Sequence, residues 1–181
     1  MKEEIIFAGF GGQGVMLMGA LLTYAGMTDE KHVSWMPSYG PEMRGGTANC
    51  TVIVSDEMIA SPVVDTPDTA IVMNLPSMDK FEPKVKPGGL LIYNSTLIER
   101  RPERDDIDIL AVPANDLANE LGNIKVGNMI TLGAYLGKKE VVGLDVVKKV
   151  LKKALPERRH DLIPLNEEAL DKGYNLGRAG E

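Results

Sequence analysis

The amino-acid sequence predicts a single three-layer α/β domain over residues 1–181, in which a mainly parallel sheet is covered by helices on both faces. Short apolar runs of strand length alternate with longer segments of helical spacing. A glycine-rich stretch, Gly9–Gly14, joins the first run to the first long segment, as the turn of a strand–helix unit does. The chain shows no repeat, no low-complexity tract and no linker-like composition, and 181 residues suit one domain.

The first elements follow from apolar runs and their boundaries. Glu4–Ala8 is a short apolar run that ends at glycine, which predicts a buried strand. Val15 to about Met27 is long, apolar and free of proline, which predicts a buried helix. A short strand is expected at His32–Trp35. Prolines and glycines punctuate Met36–Gly46, so we expect this stretch to leave regular structure and form a loop.

The rest of the chain continues the alternation of strands and helices. Val147, Val150 and Leu151 fall at helical spacing beneath a face of lysines, which predicts a surface helix that ends before Pro156. The remaining expected elements are strands at Thr47–Ser55, Thr69–Met73, Leu90–Tyr93 and Asp108–Val112, and a terminal helix at Asn166–Arg178.

Composition excludes several classes of site. The net charge of −6 argues against nucleic acid as a partner, because phosphate binding needs a concentrated basic surface. Cys50 is the single cysteine, so neither an internal disulfide nor a four-cysteine iron–sulfur cluster can form from this chain. His32 and His160 are the two histidines, which gives poor support for a zinc site. No apolar stretch approaches the ~20 residues that span a bilayer, and the start is not a signal peptide, so we expect a cytoplasmic protein without a membrane partner.

The glycine stretch has the spacing G-x-G-x-x-G between a strand and a helix, which raises the hypothesis of a dinucleotide site. That hypothesis needs an acidic residue at the end of the second strand, where this chain has Ser34, Trp35, Met36 and Pro37. The loop also lacks the lysine and hydroxyl residue of a P-loop. Tight strand–helix packing also favours glycines, so the spacing leaves both explanations open.

A second pattern is more specific, because several motifs occur together. The sequence resembles the gamma subunit, or gamma domain, of the 2-oxoacid:ferredoxin oxidoreductases, from about Glu4 to Leu136. The stretches that carry the resemblance are GFGGQGV at Gly9–Val15, SYGPEMRGG at Ser38–Gly46, SPVV at Ser61–Val64, KPGGLLIYN at Lys86–Asn94 and GNMITLG at Gly127–Gly133.

The resemblance implies a non-autonomous subunit of an enzyme that oxidatively decarboxylates a 2-oxoacid with coenzyme A, giving an acyl-CoA, CO2 and reduced ferredoxin. It implies alpha and beta partner subunits that hold thiamine pyrophosphate and Mg2+, iron–sulfur clusters on partner subunits, and a ferredoxin-like delta subunit as a further candidate partner. No cofactor is expected on this chain alone. GPEMRGGTANC looks closest to members that act on 2-oxoglutarate or branched-chain 2-oxoacids.

The expected site residues contact a ligand, such as a coenzyme A phosphate, or a partner chain; none is expected to be catalytic or to bind a metal. Arg44 suits either role because a guanidinium makes bidentate contacts to phosphate and to carboxylate, and an internal clamp with Glu42 stays open as an alternative. Asn128 precedes an apolar helical run, which favours a helix N-cap. The full expected set is Gly11, Gly12, Gln13, Gly14, Tyr39, Glu42, Arg44 and Asn128.

Two other functions compete with the subunit interpretation. The first is a stand-alone dinucleotide-binding dehydrogenase or regulatory domain, which the absent acid disfavours. The second is an interaction module whose loops serve only to bind partner chains. Cys50, in a predicted strand, is expected to be an inert core thiol, and the strand-ending Asn74 and Asn94 are expected to satisfy turns.

Overall fold

The structure is a computed structural model that describes residues 1–40 and 46–179. Within these residues, six strands form one sheet: β1 (Lys2–Phe10), β2 (His32–Tyr39), β3 (Thr47–Ser55), β4 (Thr69–Val72), β5 (Leu90–Asn94) and β6 (Asp108–Val112). Their order across the sheet is β2-β3-β1-β4-β5-β6. The β1–β4, β4–β5 and β5–β6 pairs are parallel, whereas β3 is antiparallel to both β1 and β2. The predicted mainly parallel α/β sheet is therefore confirmed.

Helices pack on both faces of the sheet. The described residues form α1 (Val15–Thr28), α2 (Leu75–Phe81), α3 (Ala114–Glu120), α4 (Gly127–Lys138), α5 (Leu144–Ala154) and α6 (Ile163–Ala179), with 3₁₀ turns at Glu82–Lys84, Ile124–Val126 and Glu157–Leu162. The predicted lysine-faced helix is α5, and the predicted terminal helix is α6, which begins three residues earlier than expected. No helix of the described chain is both long and apolar enough to cross a membrane.

Alternating residues of β1 explain why the chain needs both helical layers. Ile5 and Phe7 belong to the core on the side of α1, α4 and α5. Ile6 and Ala8 belong to a second core with α2, to which Phe81 contributes. Because successive strand residues point to opposite faces, an unbroken apolar run requires cover on both. The helices that follow the neighbouring parallel strands β1 and β4 therefore lie on opposite faces, and this divergence leaves a crevice at the carboxyl ends of those strands.

The expectation that the second strand ends at Trp35 is wrong. β2 continues to Tyr39, and Pro37 lies opposite Cys50 of β3. The Gly40 N–H donates to the Thr47 carbonyl at 2.8 Å, which makes the even-numbered residues of β2 the ones that bond β3. Pro37 therefore places its ring nitrogen at the free edge, where a missing N–H removes no ladder hydrogen bond.

Candidate functional site

The glycine loop between β1 and α1 is a tight turn, and its backbone conformation requires glycine at two positions. Gly12 and Gly14 have φ values of 101° and 76°, in the left-handed region that favours glycine. A side chain at Gly14 would also collide with the Asn128 side chain. The loop is fastened to the start of β3 by a hydrogen bond of 2.9 Å from the Gly11 N–H to the Gly46 carbonyl.

The amino end of α1 offers unpaired donors. The first α-helical hydrogen bond at this end runs from the Met18 N–H to the Gly14 carbonyl at 3.1 Å, so the amides of Val15, Met16 and Leu17 precede the intrahelical ladder. Gly14, the N-cap residue, has no side chain to satisfy them. Such a helix end attracts anions, because its N–H groups and the helix dipole both favour negative charge.

These donors open into a cleft of about 680 Å³, a volume typical of small-molecule sites. Its walls come from the glycine loop, the β2–β3 end, the start of α4, and the segment that leads from α5 into α6. The floor is largely apolar, and two cationic residues stand at the wall. The lining residues are Phe10, Gly11, Gly12, Gly14, Val15, Met16, Leu17, Tyr39, Ala48, Asn123, Lys125, Val126, Asn128, Leu155, Arg159, Leu162 and Asn166.

Lys125 and Arg159 are the cations of this cleft, and both are exposed. Neither forms a salt bridge with an acid in the described part of the chain. Neither residue is predictable from the sequence, since each lies in a segment without a motif and reaches the glycine loop only through the fold. Unpaired helix amides, two cations and an apolar floor suit a ligand that combines phosphate groups with less polar parts.

The predicted site residues divide into three groups. Gly11, Gly12, Gly14, Tyr39 and Asn128 line the cleft together, although they come from distant parts of the sequence. Tyr39 is 53% exposed there. Gln13 forms the second group, because it is absent from the described lining of the cleft. The last two, Glu42 and Arg44, lie outside the described residues.

Gln13 directs its amide into the protein, toward the end of β4. Its Oε1 accepts from the Phe10 N–H at 2.7 Å, and its Nε2 donates to the Met73 carbonyl at 3.0 Å. The Asn74 amide also donates to this Oε1, at 3.4 Å. Gln13 is absent from the described lining of the cleft, although the loop residues on either side line it.

The expectation that Asn128 caps a helix is wrong. Asn128 is the second residue of α4, and its Oδ1 accepts from the Met129 N–H at 3.0 Å, while Nδ2 donates to the Gly14 carbonyl at 3.4 Å. The 3₁₀ turn directly before α4 already brings the chain into the helix, which leaves the Asn128 side chain free to contact the glycine loop.

The two strand-ending asparagines serve local structure. Asn74 is the N-cap of α2, where its side chain accepts from the Ser77 N–H at 2.9 Å. Asn94 accepts from the Thr96 N–H at 3.3 Å and donates to Asn115 at 2.9 Å. The turn role predicted for Asn94 is confirmed, whereas Asn74 caps a helix where a turn was expected.

Comparison with known proteins places this geometry in context. Residues 4–176 match the family model described as pyruvate ferredoxin/flavodoxin oxidoreductase. The chain is 41% identical over 144 residues to ketoisovalerate oxidoreductase subunit VorA of Methanothermobacter marburgensis, a match that covers 80% of this chain and 30% of the relative. The chain thus spans less than a third of that relative's length.

Two solved structures share the fold. The gamma subunit of a keto/oxoacid ferredoxin oxidoreductase from Geobacter sulfurreducens is similar at a TM-score of 0.83 and 30% identity, over 98% of this chain and 99% of that one. The 2-oxoglutarate:ferredoxin oxidoreductase of Magnetococcus marinus, solved with 2-oxoglutarate, coenzyme A and succinyl-CoA bound, is similar at a TM-score of 0.89 and 25% identity, over 98% of this chain and 31% of that one.

Proposed function

Because the chain belongs to the pyruvate ferredoxin/flavodoxin oxidoreductase family, we propose that it is the gamma component of a 2-oxoacid:ferredoxin oxidoreductase whose cleft receives part of coenzyme A. The complex would convert a 2-oxoacid and coenzyme A to an acyl-CoA and CO2 and pass the electrons to ferredoxin. The observation that carries the proposal is the cleft itself, which the amino end of α1 lines together with Lys125 and Arg159.

Coenzyme A fits the chemistry of this cleft. Its phosphate groups would be recognised by helix amides and by the two cations, since charge-assisted hydrogen bonds are the strong ones. The apolar floor, which includes Phe10, Met16 and Leu155, would contact less polar parts of the molecule. The Magnetococcus enzyme, whose chain contains a segment of this fold, was solved with coenzyme A, which supports the assignment.

The described residues give no support for a metal or an iron–sulfur cluster on this chain. Among the described residues there is no group of three or more His, Cys, Asp or Glu side chains placed to hold a metal ion. One cysteine cannot bind a cluster. We therefore assign thiamine pyrophosphate, Mg2+ and the iron–sulfur clusters to alpha and beta subunits, and to a ferredoxin-like delta subunit where the complex has one.

The edge strand β2, with exposed apolar residues on both of its faces, suits contact with those partner chains. Trp35, Met36 and Tyr39 are 40%, 44% and 53% exposed on this edge strand, and the strand carries no Asp, Glu, Lys or Arg. Clustered exposed apolar residues of this kind mark interaction surfaces. Because Tyr39 also lines the cleft, a partner chain seated on β2 would border the bound coenzyme.

The proposed substrate is 2-oxoglutarate or a branched-chain 2-oxoacid. The Methanothermobacter relative is named for ketoisovalerate and the Magnetococcus enzyme for 2-oxoglutarate, and both resemble this chain. The choice between them would be made near the thiamine, on partner chains. An assay of the purified complex with pyruvate, 2-oxoglutarate and 2-oxoisovalerate decides it.

The proposal is tested by purifying the chain with its partners and measuring coenzyme A-dependent reduction of ferredoxin or a viologen dye. Partner chains that run at full rate without this chain would refute the subunit role.

Arg159→Ala should raise the KM for coenzyme A roughly tenfold, as expected for loss of one hydrogen bond to a charged group. Arg158→Ala is the matched control, because Arg158 is an exposed neighbour outside the described cleft lining. If both variants shift KM equally, the effect is general surface charge and the cleft assignment fails.

The competing functions predict different results. A dinucleotide-binding domain needs a second strand beside β1 that ends in an acid, whereas here β1 lies between β3 and β4 and β2 is at the sheet edge. Tight, saturable binding of NAD(H) or NADP(H) by the isolated chain would favour that alternative. An interaction module predicts that Arg44→Ala or Arg159→Ala weakens assembly and leaves the KM for coenzyme A unchanged.

A further inference from the structure

We propose that Gln13 is a positioning residue, whose amide wedges the ends of β1 and β4 apart and so aims the glycine loop at the ligand without touching the ligand. This role rests on the proposed function, because the ligand concerned is the coenzyme A of the same cleft. The assignment differs from the ligand contact that the sequence favours for this residue.

The Gln13 amide lies where the hydrogen-bond ladder between β1 and β4 ends. The register ends with Ala8 opposite Val72, and the Met73 N–H donates to the Ala8 carbonyl at 2.8 Å. The next bond of a regular parallel ladder would join the Phe10 N–H to the Met73 carbonyl. In this structure the Gln13 amide lies between those two groups, accepting from Phe10 at 2.7 Å and donating to Met73 at 3.0 Å.

One amide therefore replaces a direct bond between strands with a bridge of two bonds. A bridge of two bonds holds the Phe10 N–H and the Met73 carbonyl further apart than a direct bond would, at the edge where an open α/β sheet binds ligands. Because Gln13 sits within the turn, the same bridge fixes the orientation of the loop that leads into α1. The Gln13 bridge, on the side of the loop that faces β4, thus sets the direction of the free amides of α1.

Glutamine suits this position better than its relatives, because the bridge needs an acceptor and a donor on one planar group. Glutamate supplies the acceptor for Phe10 but opposes the Met73 carbonyl with a second oxygen. Methionine has a similar length and neither function. Gly9 provides the space, since a side chain there would place its Cβ 2.7 Å from the Gln13 Oε1 and 3.0 Å from the Met73 Cβ.

The chain offers a direct test, because Gln13 is its only glutamine. Selective 15N labelling of glutamine gives one side-chain NH2 pair in the NMR spectrum of the full chain. The wedge predicts that this pair is protected from exchange with water without coenzyme A. A pair that exchanges freely with water, or that is ordered only when coenzyme A is added, overturns the proposal.

The second test uses the assembled complex. Gln13→Glu and Gln13→Met should each raise the KM for coenzyme A by roughly ten- to a hundredfold, with kcat within about twofold, because a misplaced loop loses a hydrogen bond to a charged phosphate. Ile98→Val is the control for a small loss of core stability, because Ile98 is buried in the core beside α2, on the other face of the sheet. An unchanged KM in both Gln13 variants, or a loss no different from that of Ile98→Val, overturns the positioning role.

The outcome also separates this inference from the proposed function. If Arg159→Ala raises the KM and the Gln13 variants do not, the cleft binds coenzyme A and the wedge is wrong. If neither residue affects the KM, the cleft does not bind coenzyme A, and both proposals are overturned. The wild-type NMR measurement is independent of whether either Gln13 variant folds.

Discussion

Substitution of Gly173 by alanine should destabilise the protein by about 3 kcal/mol, the upper part of the usual range for overpacking a core. Gly173 lies where α6 crosses α4, and a Cβ there would be 2.8 Å from the Ile130 carbonyl carbon and 2.9 Å from the Ala134 amide nitrogen, besides colliding with the Ile130 oxygen. These are backbone atoms of a packed helix, so the helices must move apart. The gain of about 1 kcal/mol in helix propensity from Gly to Ala is too small to compensate.

Gly127→Ala is the matched control for this prediction. It is the same substitution at the start of α4, where the nearest atoms to a new Cβ lie 3.4 Å or more away, at ordinary contact distance. This variant should be neutral or more stable by up to about 1 kcal/mol. Urea unfolding followed by circular dichroism measures the free energy of unfolding of both variants. In thermal unfolding, Gly173→Ala should lower Tm by roughly 6–12 °C for a chain of this size. Equal stability of the two variants would contradict the view that backbone contact sets the spacing of α4 and α6.

Two further predictions concern buried ionisable groups. Burial raises the pKa of the Cys50 thiol to about 12, so a thiol reagent at pH 8 should label Cys50 only as fast as the protein opens, and rapid labelling of native protein would contradict this. Burial also raises the pKa of Glu3, despite its 2.6 Å hydrogen bond from Thr69. Because folded Glu3 then holds its proton where the unfolded chain has lost it, stability falls as pH rises from the ordinary carboxyl value toward the raised one. Glu3→Gln should flatten this part of the urea-unfolding pH profile, the exposed Glu57→Gln should not, and equal profiles would refute the assignment.

The strands could be predicted well because burial imposes a strong pattern on them. A run such as Glu4–Ala8 is apolar at successive positions only when both faces of the sheet are covered. The end of β2 was mispredicted, because proline usually breaks regular structure. Whether Pro37 does so depends on which side of the strand its nitrogen faces, and that depends on the pairing with β3. Local sequence does not contain this pairing.

The cleft was only partly predictable for a related reason. The glycines could be predicted from their spacing, and Tyr39 from its place in a motif. Lys125 and Arg159 could not, because they lie in surface segments that contain other lysines and arginines and no motif. Both residues line the cleft because the packing of α6 on α4 brings their segments to the glycine loop. The predicted roles of Gln13 and Asn128 differ from the observed contacts because amide side chains suit ligands, caps and internal bridges equally.

Two of the three glycines of the motif, Gly9 and Gly14, can be explained without a dinucleotide. Gly9 leaves room for the Gln13 amide, and Gly14 combines a positive φ with close approach of Asn128. Both constraints arise inside the protein, one toward β4 and the other toward α4. A ligand is therefore not needed to account for these two glycines, and the case for ligand binding depends on the free amides of α1 and the cations that line the same cleft. For this reason Arg159→Ala tests the function more sharply than any change to the glycines, which would disturb fold and site together.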